Sequence, residues 1–110
     1  MSSKKLQKQY GIYHAFQLSI EIITDLIAMI VKDLKLIPKD DYLNIEIITN
    51  KKIISPDLAA SLREANGLRN RIVHDYYGLD NEIAFNRLID LLKSLKKFME
   101  EVKEWLIKNC

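Results

Sequence analysis

The first third of the chain repeats apolar residues at spacings of three and four: Leu6, Tyr10, Tyr13, Phe16, Ile20, Ile23, Ile27, Ile30 and Leu34. That is the period of one helix face, so a helix is predicted from about Ser3 to Leu36. Beside it runs a second apolar set, Ile12, Ala15, Ile22, Leu26 and Met29. One stripe suffices for a helix lying on a single neighbour. Two imply contact on two sides, with more of its own bundle or with another subunit. At the α-helical rise such an element is about 50 Å long, and Gly11 is the place where a bend or break is expected. Pro38, Lys39, Asp40 and Asp41 close it and offer N-caps for the next element.

Residues 42–54 are ambiguous. Their isoleucines and threonine have strand propensity. A lone strand, however, has no sheet partner elsewhere in the chain to pair its backbone, and a short helix is the expectation. Ser55-Pro56-Asp57 announces the next helix: a serine N-cap, proline at the first helical position and an acid in the first turn. Leu58, Leu62, Ala65, Leu68, Ile72 and Val73 carry it to about His74. Tyr76-Tyr77-Gly78-Leu79-Asp80-Asn81 reads as a turn, with Gly78 as the helix stop. A last helix from about Glu82 to Lys108 repeats Ala84, Leu88, Leu91, Leu95, Phe98, Val102 and Trp105 in a coiled-coil-like seam. The expected fold is all-α: a single domain over residues 1–110 forming an antiparallel bundle of about four helices, two of them long.

Composition supports that picture and limits the chemistry. Three Gly and two Pro in 110 residues leave few sharp turns, which favours long helices over a many-stranded sheet. Seventeen basic and fifteen acidic side chains give a net charge of +2, so any nucleic-acid contact has to be a local patch rather than a basic whole. The one cysteine, Cys110, has no partner in the chain, which excludes an internal disulfide and fits a reducing compartment. The N-terminus has no apolar signal core, and no uncharged apolar run approaches the roughly 20 residues a membrane helix needs. The expected setting is cytoplasmic, without a membrane.

Groups able to do acid–base work concentrate in Leu68-Arg69-Asn70-Arg71-Ile72-Val73-His74-Asp75-Tyr76-Tyr77. Cleaving RNA without a metal requires a group that takes the 2′-hydroxyl proton or returns one to the leaving 5′-oxygen, and histidine does this best near neutral pH. It also requires a fixed cation on the scissile phosphate, a task for which arginine's planar fork is better suited than lysine. A phenol can donate to phosphate or stack on a base. Arg69, His74 and Tyr76 can fill these three roles. On a regular helix Arg69 and His74 lie about 140° apart, so they meet only if the helix ends near His74 or if two subunits bring their copies together.

Arg69-x4-His74-x-Tyr76 at the end of a helix in a small all-α chain resembles the signature of the HEPN superfamily. The longer run from Leu68 to Asp80 is similar to its HepT-type toxin branch, as are Ile53-Ile54-Ser55-Pro56-Asp57-Leu58 and Ala15-Phe16-Gln17-Leu18-Ser19-Ile20-Glu21. The resemblance implies a homodimeric, metal-independent endoribonuclease toxin with paired motifs lining a dimer cleft, RNA as substrate and no cofactor. Arg69 and His74 would be catalytic, with Asn70, Arg71 and Tyr76 binding or positioning the substrate. Its implied partner is a minimal nucleotidyltransferase antitoxin that silences the toxin by transferring AMP to Tyr76. Phosphate charge placed beside Arg69 would occupy the substrate's position. Members commonly carry a further helix ahead of the segment that opens this chain, and the resemblance implies that this helix is shortened or missing here. The alternative in the same superfamily is a non-catalytic module that binds a nucleotide or docks the nucleotidyltransferase.

Structural roles compete for several of these residues. His74 alone could be a helix-end histidine suited to the C-terminal dipole. Asp75 could orient His74 or face solvent, and Arg71 could be a salt-bridge or phosphate-facing helper. His14, beside the apolar stripe near Tyr10 and Tyr13, is expected to be structural, and Tyr10, Tyr13 and Phe16 to be core. Lys93, Lys96 and Lys97 read as a wet face, and no set of residues has metal-ligand spacing.

Overall fold

The computed structural model describes residues 3–74 and 82–109, the side chains of residues 3–7, 73 and 74 apart. It consists of α1 (Ser3–Asp33), α2 (Asp41–Asn50), α3 (Pro56–His74) and α4 (Glu82–Asn109). The predicted all-α class and the two long helices are both present. The molecule measures 50 × 24 × 19 Å, and its long axis matches the length of α1. α1 runs unbroken through Gly11, where the expected bend is absent: the helical ladder continues through the glycine, and nothing lies within 4 Å of where its Cβ would be.

Capping explains the boundaries. α1 and α2 both end on a lysine in the left-handed conformation, Lys35 (φ 66°) and Lys52 (φ 61°). At each end the following amide reaches back five residues, Leu36 N–H to the Val31 carbonyl and Ile53 N–H to the Ile48 carbonyl, which closes the helix as a Schellman turn. α2 begins where the Asp40 carboxylate accepts the Leu43 N–H at 2.9 Å. The Asn44 side chain clamps Lys39 by accepting its N–H and donating to its carbonyl. These local bonds, with Ile45 and Ile48 one turn apart and buried, override the strand propensity of the segment. α3 starts as predicted, the Ser55 hydroxyl accepting the Leu58 N–H ahead of Pro56.

Contacts fix the directions. Tyr13 meets Phe85 edge-on at 5.8 Å, and a groove further along joins Ile22 and Ile23 to Leu95 and Met99, so α1 and α4 run the same way. Glu101 accepts the Ser55 N–H and Glu64 pairs with Arg87, so α3 runs against α4 and therefore against α1. Antiparallel packing thus holds for α3 against each long helix, while α1 and α4 are parallel.

The core is the predicted one. From α1 it takes Tyr13, Phe16, Ile20, Ile23, Ile27 and Ile30; from α3 it takes Leu58, Leu62, Ala65, Leu68 and Ile72. The α4 seam adds Leu88, Leu91, Leu95, Phe98 and Val102. Tyr10, expected inside, is 43% exposed. The second α1 stripe does not pack within its own bundle: Ile22 is 66% and Met29 62% exposed, and only Ile12 and Leu26 lean on the core. Lys8–Asp33 is long and apolar enough to cross a membrane by length and composition, although no uncharged run within it is. About a third of that stretch is buried in the bundle, and the exposed Leu18, Ile22 and Met29 supply part of the remaining apolar character.

Candidate functional site

Arg69 lies in the last turns of α3, on the side that faces α1. Its Nη2 donates to Oε1 of Glu21 at 2.7 Å, and its Nη1 to Oδ1 of the neighbouring Asn70 at 3.0 Å. The guanidinium side chain is 29% exposed and the Glu21 side chain 37%, so the pair sits at the rim of the α1–α3 interface. Nε of Arg69 is buried with no hydrogen-bond partner among the described residues. Only the Nη end of the fork therefore reaches the rim. Glu21 is held in turn. The hydrogen bond from Arg69 pushes its carboxyl below the usual glutamate range against a weaker upward push from burial. A hydrogen bond from Gln17 and the charges of Arg69 and His14 add to the lowering.

The predicted site residues thus divide. Arg69 and Asn70 are together and in contact. Arg71, two positions on and about 200° around the helix, is exposed and lines a different groove, between α3 and α4, with Arg87, Glu64 and Ile83. There Glu64 takes Nε and Nη2 of Arg87 with its two oxygens. His74 is the last described residue of α3, five positions after Arg69. Its side chain, together with Asp75 and Tyr76, lies outside the described residues. His14, expected to be structural, is exposed, because it stands one residue off the buried Tyr13 position.

Antiparallel packing sets the level of these groups. Moving from Arg69 to His74 advances about 7.5 Å along α3, and moving from Glu21 back to His14 covers about 10 Å of α1 in the same direction. The α3 terminus and the polar strip His14, Gln17, Glu21 therefore share one end of the bundle. A groove of about 630 Å³ is at the other end, where Ile54, Glu101 and Trp105 meet. That is about 20 Å from Arg69, because Ser55 and Arg69 are fourteen residues apart on one helix. It lies where α2 ends, α3 begins and α4 ends, and its lining holds no histidine. Among the described residues no three His, Cys, Asp or Glu side chains converge.

Sequence reasoning missed Glu21. One signal was available: between Lys8 and Asp25 it is the one formally charged side chain in a long apolar helix. An acid that a helix keeps amid its apolar residues has a partner to meet.

The family pattern "Ribonuclease HepT-like" matches residues 2–102, nearly the whole bundle. This chain belongs to the HepT-like ribonuclease family. Among its HepT-like relatives is a candidate RNase of Archaeoglobus fulgidus, 38% identical over 98 residues, which span 89% of this chain and 74% of that one. A candidate RNase of Methanocaldococcus jannaschii is 40% identical over 72 residues, 64% of this chain and 83% of its own. A tRNA nuclease HepT of Aphanizomenon flos-aquae is 30% identical over 56 residues, 51% of this chain and 38% of its own. No solved structure matches this HepT-like chain.

Proposed function

We propose that this HepT-like chain is a metal-independent endoribonuclease, with Arg69 and His74 as its catalytic pair. The observation that carries the reading is the Arg69 guanidinium, held at the rim of the bundle with its Nη end outward, five residues before His74 on α3. In the proposed reaction the 2′-oxygen attacks phosphorus and the bond to the 5′-oxygen breaks. The imidazole of His74 takes the 2′-hydroxyl proton or supplies the one the 5′-oxygen needs. Arg69 binds the non-bridging oxygens and stabilises the charge that builds on them. Asn70 and Tyr76 position the substrate. Arg71, on the other side of α3, is assigned to the flanking RNA backbone.

The same reading makes the protein a cytoplasmic homodimer. Its support is the second α1 stripe, with Ile22 and Met29 facing solvent in the protomer and Ile22 sharing a groove with Met99 of α4, which is 52% exposed. It also makes the chain the toxin of a toxin–antitoxin pair, silenced when a nucleotidyltransferase partner places AMP on Tyr76.

The test is cleavage of RNA by the purified chain in EDTA, with His74→Ala as the control. Cleavage that survives EDTA and is abolished by the substitution, in a bundle that remains folded, supports the mechanism. A dimer that binds nucleotide or partner and leaves every RNA intact would instead favour the non-catalytic alternative.

A further inference from the structure

An arginine side chain has four rotatable bonds and gains catalytic value only when its fork is held in one place. Arg69 is held from two directions. Asn70, its neighbour on α3, takes Nη1, and Glu21, 48 residues away on α1, takes Nη2. Gln17, one helical turn before Glu21 on α1, adds to the lowering of its pKa. The bond from Glu21 differs from the second arginine–glutamate pair of the bundle. Glu64 takes Arg87 by Nε and Nη2 together, whereas Glu21 uses one oxygen on one nitrogen. With these partners each terminal nitrogen of Arg69 uses one of its two hydrogens. Among the described residues the other hydrogen on each has no acceptor, which leaves room for a group that presents two oxygens, as a phosphodiester does.

We propose that Glu21 is a positioning residue of the nuclease site, reaching across from α1 to aim the Arg69 fork at the substrate phosphate. The inference rests on the nuclease reading given above. Glu21 touches neither the phosphate nor the ribose; it acts through Arg69. Its carboxylate lowers the local positive field, and a group present only to bind RNA would not carry one. The gain is geometric: a guanidinium fixed before the substrate arrives does not have to be ordered in the transition state.

The experiment compares wild type, Glu21→Gln and Glu21→Ala in RNA cleavage. Arg69 guanidinium NMR signals are recorded on the same samples, and thermal unfolding checks that each variant folds. Glu21→Ala should lower kcat on the order of 100-fold with little change in KM, as expected when a transition-state contact is misplaced. It should also merge the separate Arg69 Nη proton signals as the guanidinium begins to rotate. Glu21→Gln, isosteric and still an acceptor, should recover part of the rate and keep the signals partly resolved. Glu21→Ala cleaving as fast as wild type would overturn the proposal, and so would unchanged Arg69 signals. Faster cleavage would mean that Glu21 competes with the phosphate for Arg69. Failure of wild type to cleave any RNA would instead count against the nuclease reading, while the Arg69 signals would still decide whether Glu21 orders the guanidinium.

Discussion

Arg69 on α3 and Glu21 on α1 are joined, Nη2 to Oε1, at 2.7 Å across the interface of two antiparallel helices. The hydrogen bond from Arg69 is the leading cause of the lowered Glu21 pKa. A carboxyl depressed in the folded chain stabilises it fully above the ordinary glutamate pKa, and that contribution is lost as pH falls through the lowered value. Carboxyl NMR titration should find Glu21 ionised to lower pH than an unpaired exposed glutamate. Arg69→Ala should move its titration upward. A midpoint indifferent to that substitution would mean the pair does not form in solution.

Removing Arg69 should cost on the order of 100- to 1,000-fold in kcat, the usual effect of deleting one preorganised donor to a developing oxyanion. Arg69→Lys should recover little. An ammonium keeps the charge, but it is not a planar fork that can serve Glu21, Asn70 and a phosphate at once. Single-turnover cleavage of one labelled RNA decides this; full activity in the lysine variant would remove the fork from the mechanism.

If α1's second stripe is a subunit interface, Ile22→Glu with Met29→Glu should convert a dimer of 12.9 kDa chains to monomers in sedimentation equilibrium. Helicity should be retained, since both side chains face solvent within the protomer. A wild-type chain that sediments as a monomer would refute the assignment.

Gly11 should tolerate a methyl group. It lies inside a continuous helix with open space around it, so Gly11→Ala should raise the unfolding free energy by about 0.5–1 kcal/mol. Lys52→Gly should stabilise by up to about 1 kcal/mol for a different reason, since Lys52 holds a left-handed conformation that suits glycine. Urea unfolding of each single variant measures both.

Phe98 is fully buried in the α4 seam, and Phe98→Ala should cost about 3–5 kcal/mol through lost contacts and a cavity. That is a large part of the stability of a small domain, and equilibrium denaturation should show it as a lower midpoint with little change in slope.

Much of the architecture was legible in one dimension. The spacing of Phe16, Ile20, Ile23 and Ile27, and of Leu88, Leu91, Leu95 and Phe98, determines which helix faces turn inward, because a helix repeats every 3.6 residues whatever it packs against. Ser55-Pro56 marked the start of α3 for an equally local reason, a side-chain oxygen reaching an amide three residues on. Interactions across turns were not legible in this way. Local hydrogen bonds at Asp40 and Asn44 settled α2 where propensity pointed to a strand, and no turn chemistry opened α1 at Gly11.

What the chain by itself determined, then, is the order and facing of its helices and the Arg-x4-His spacing at the end of the third. The tertiary structure decided the partners. It set Glu21 against Arg69 and sent Arg71 to the opposite groove. It also left Ile22 and Met29 outside the protomer. Hydrophobic periodicity states which face of a helix is buried. It carries no information about which helix covers that face or at what level along it. Those depend on relative direction and register, which only the packed bundle defines.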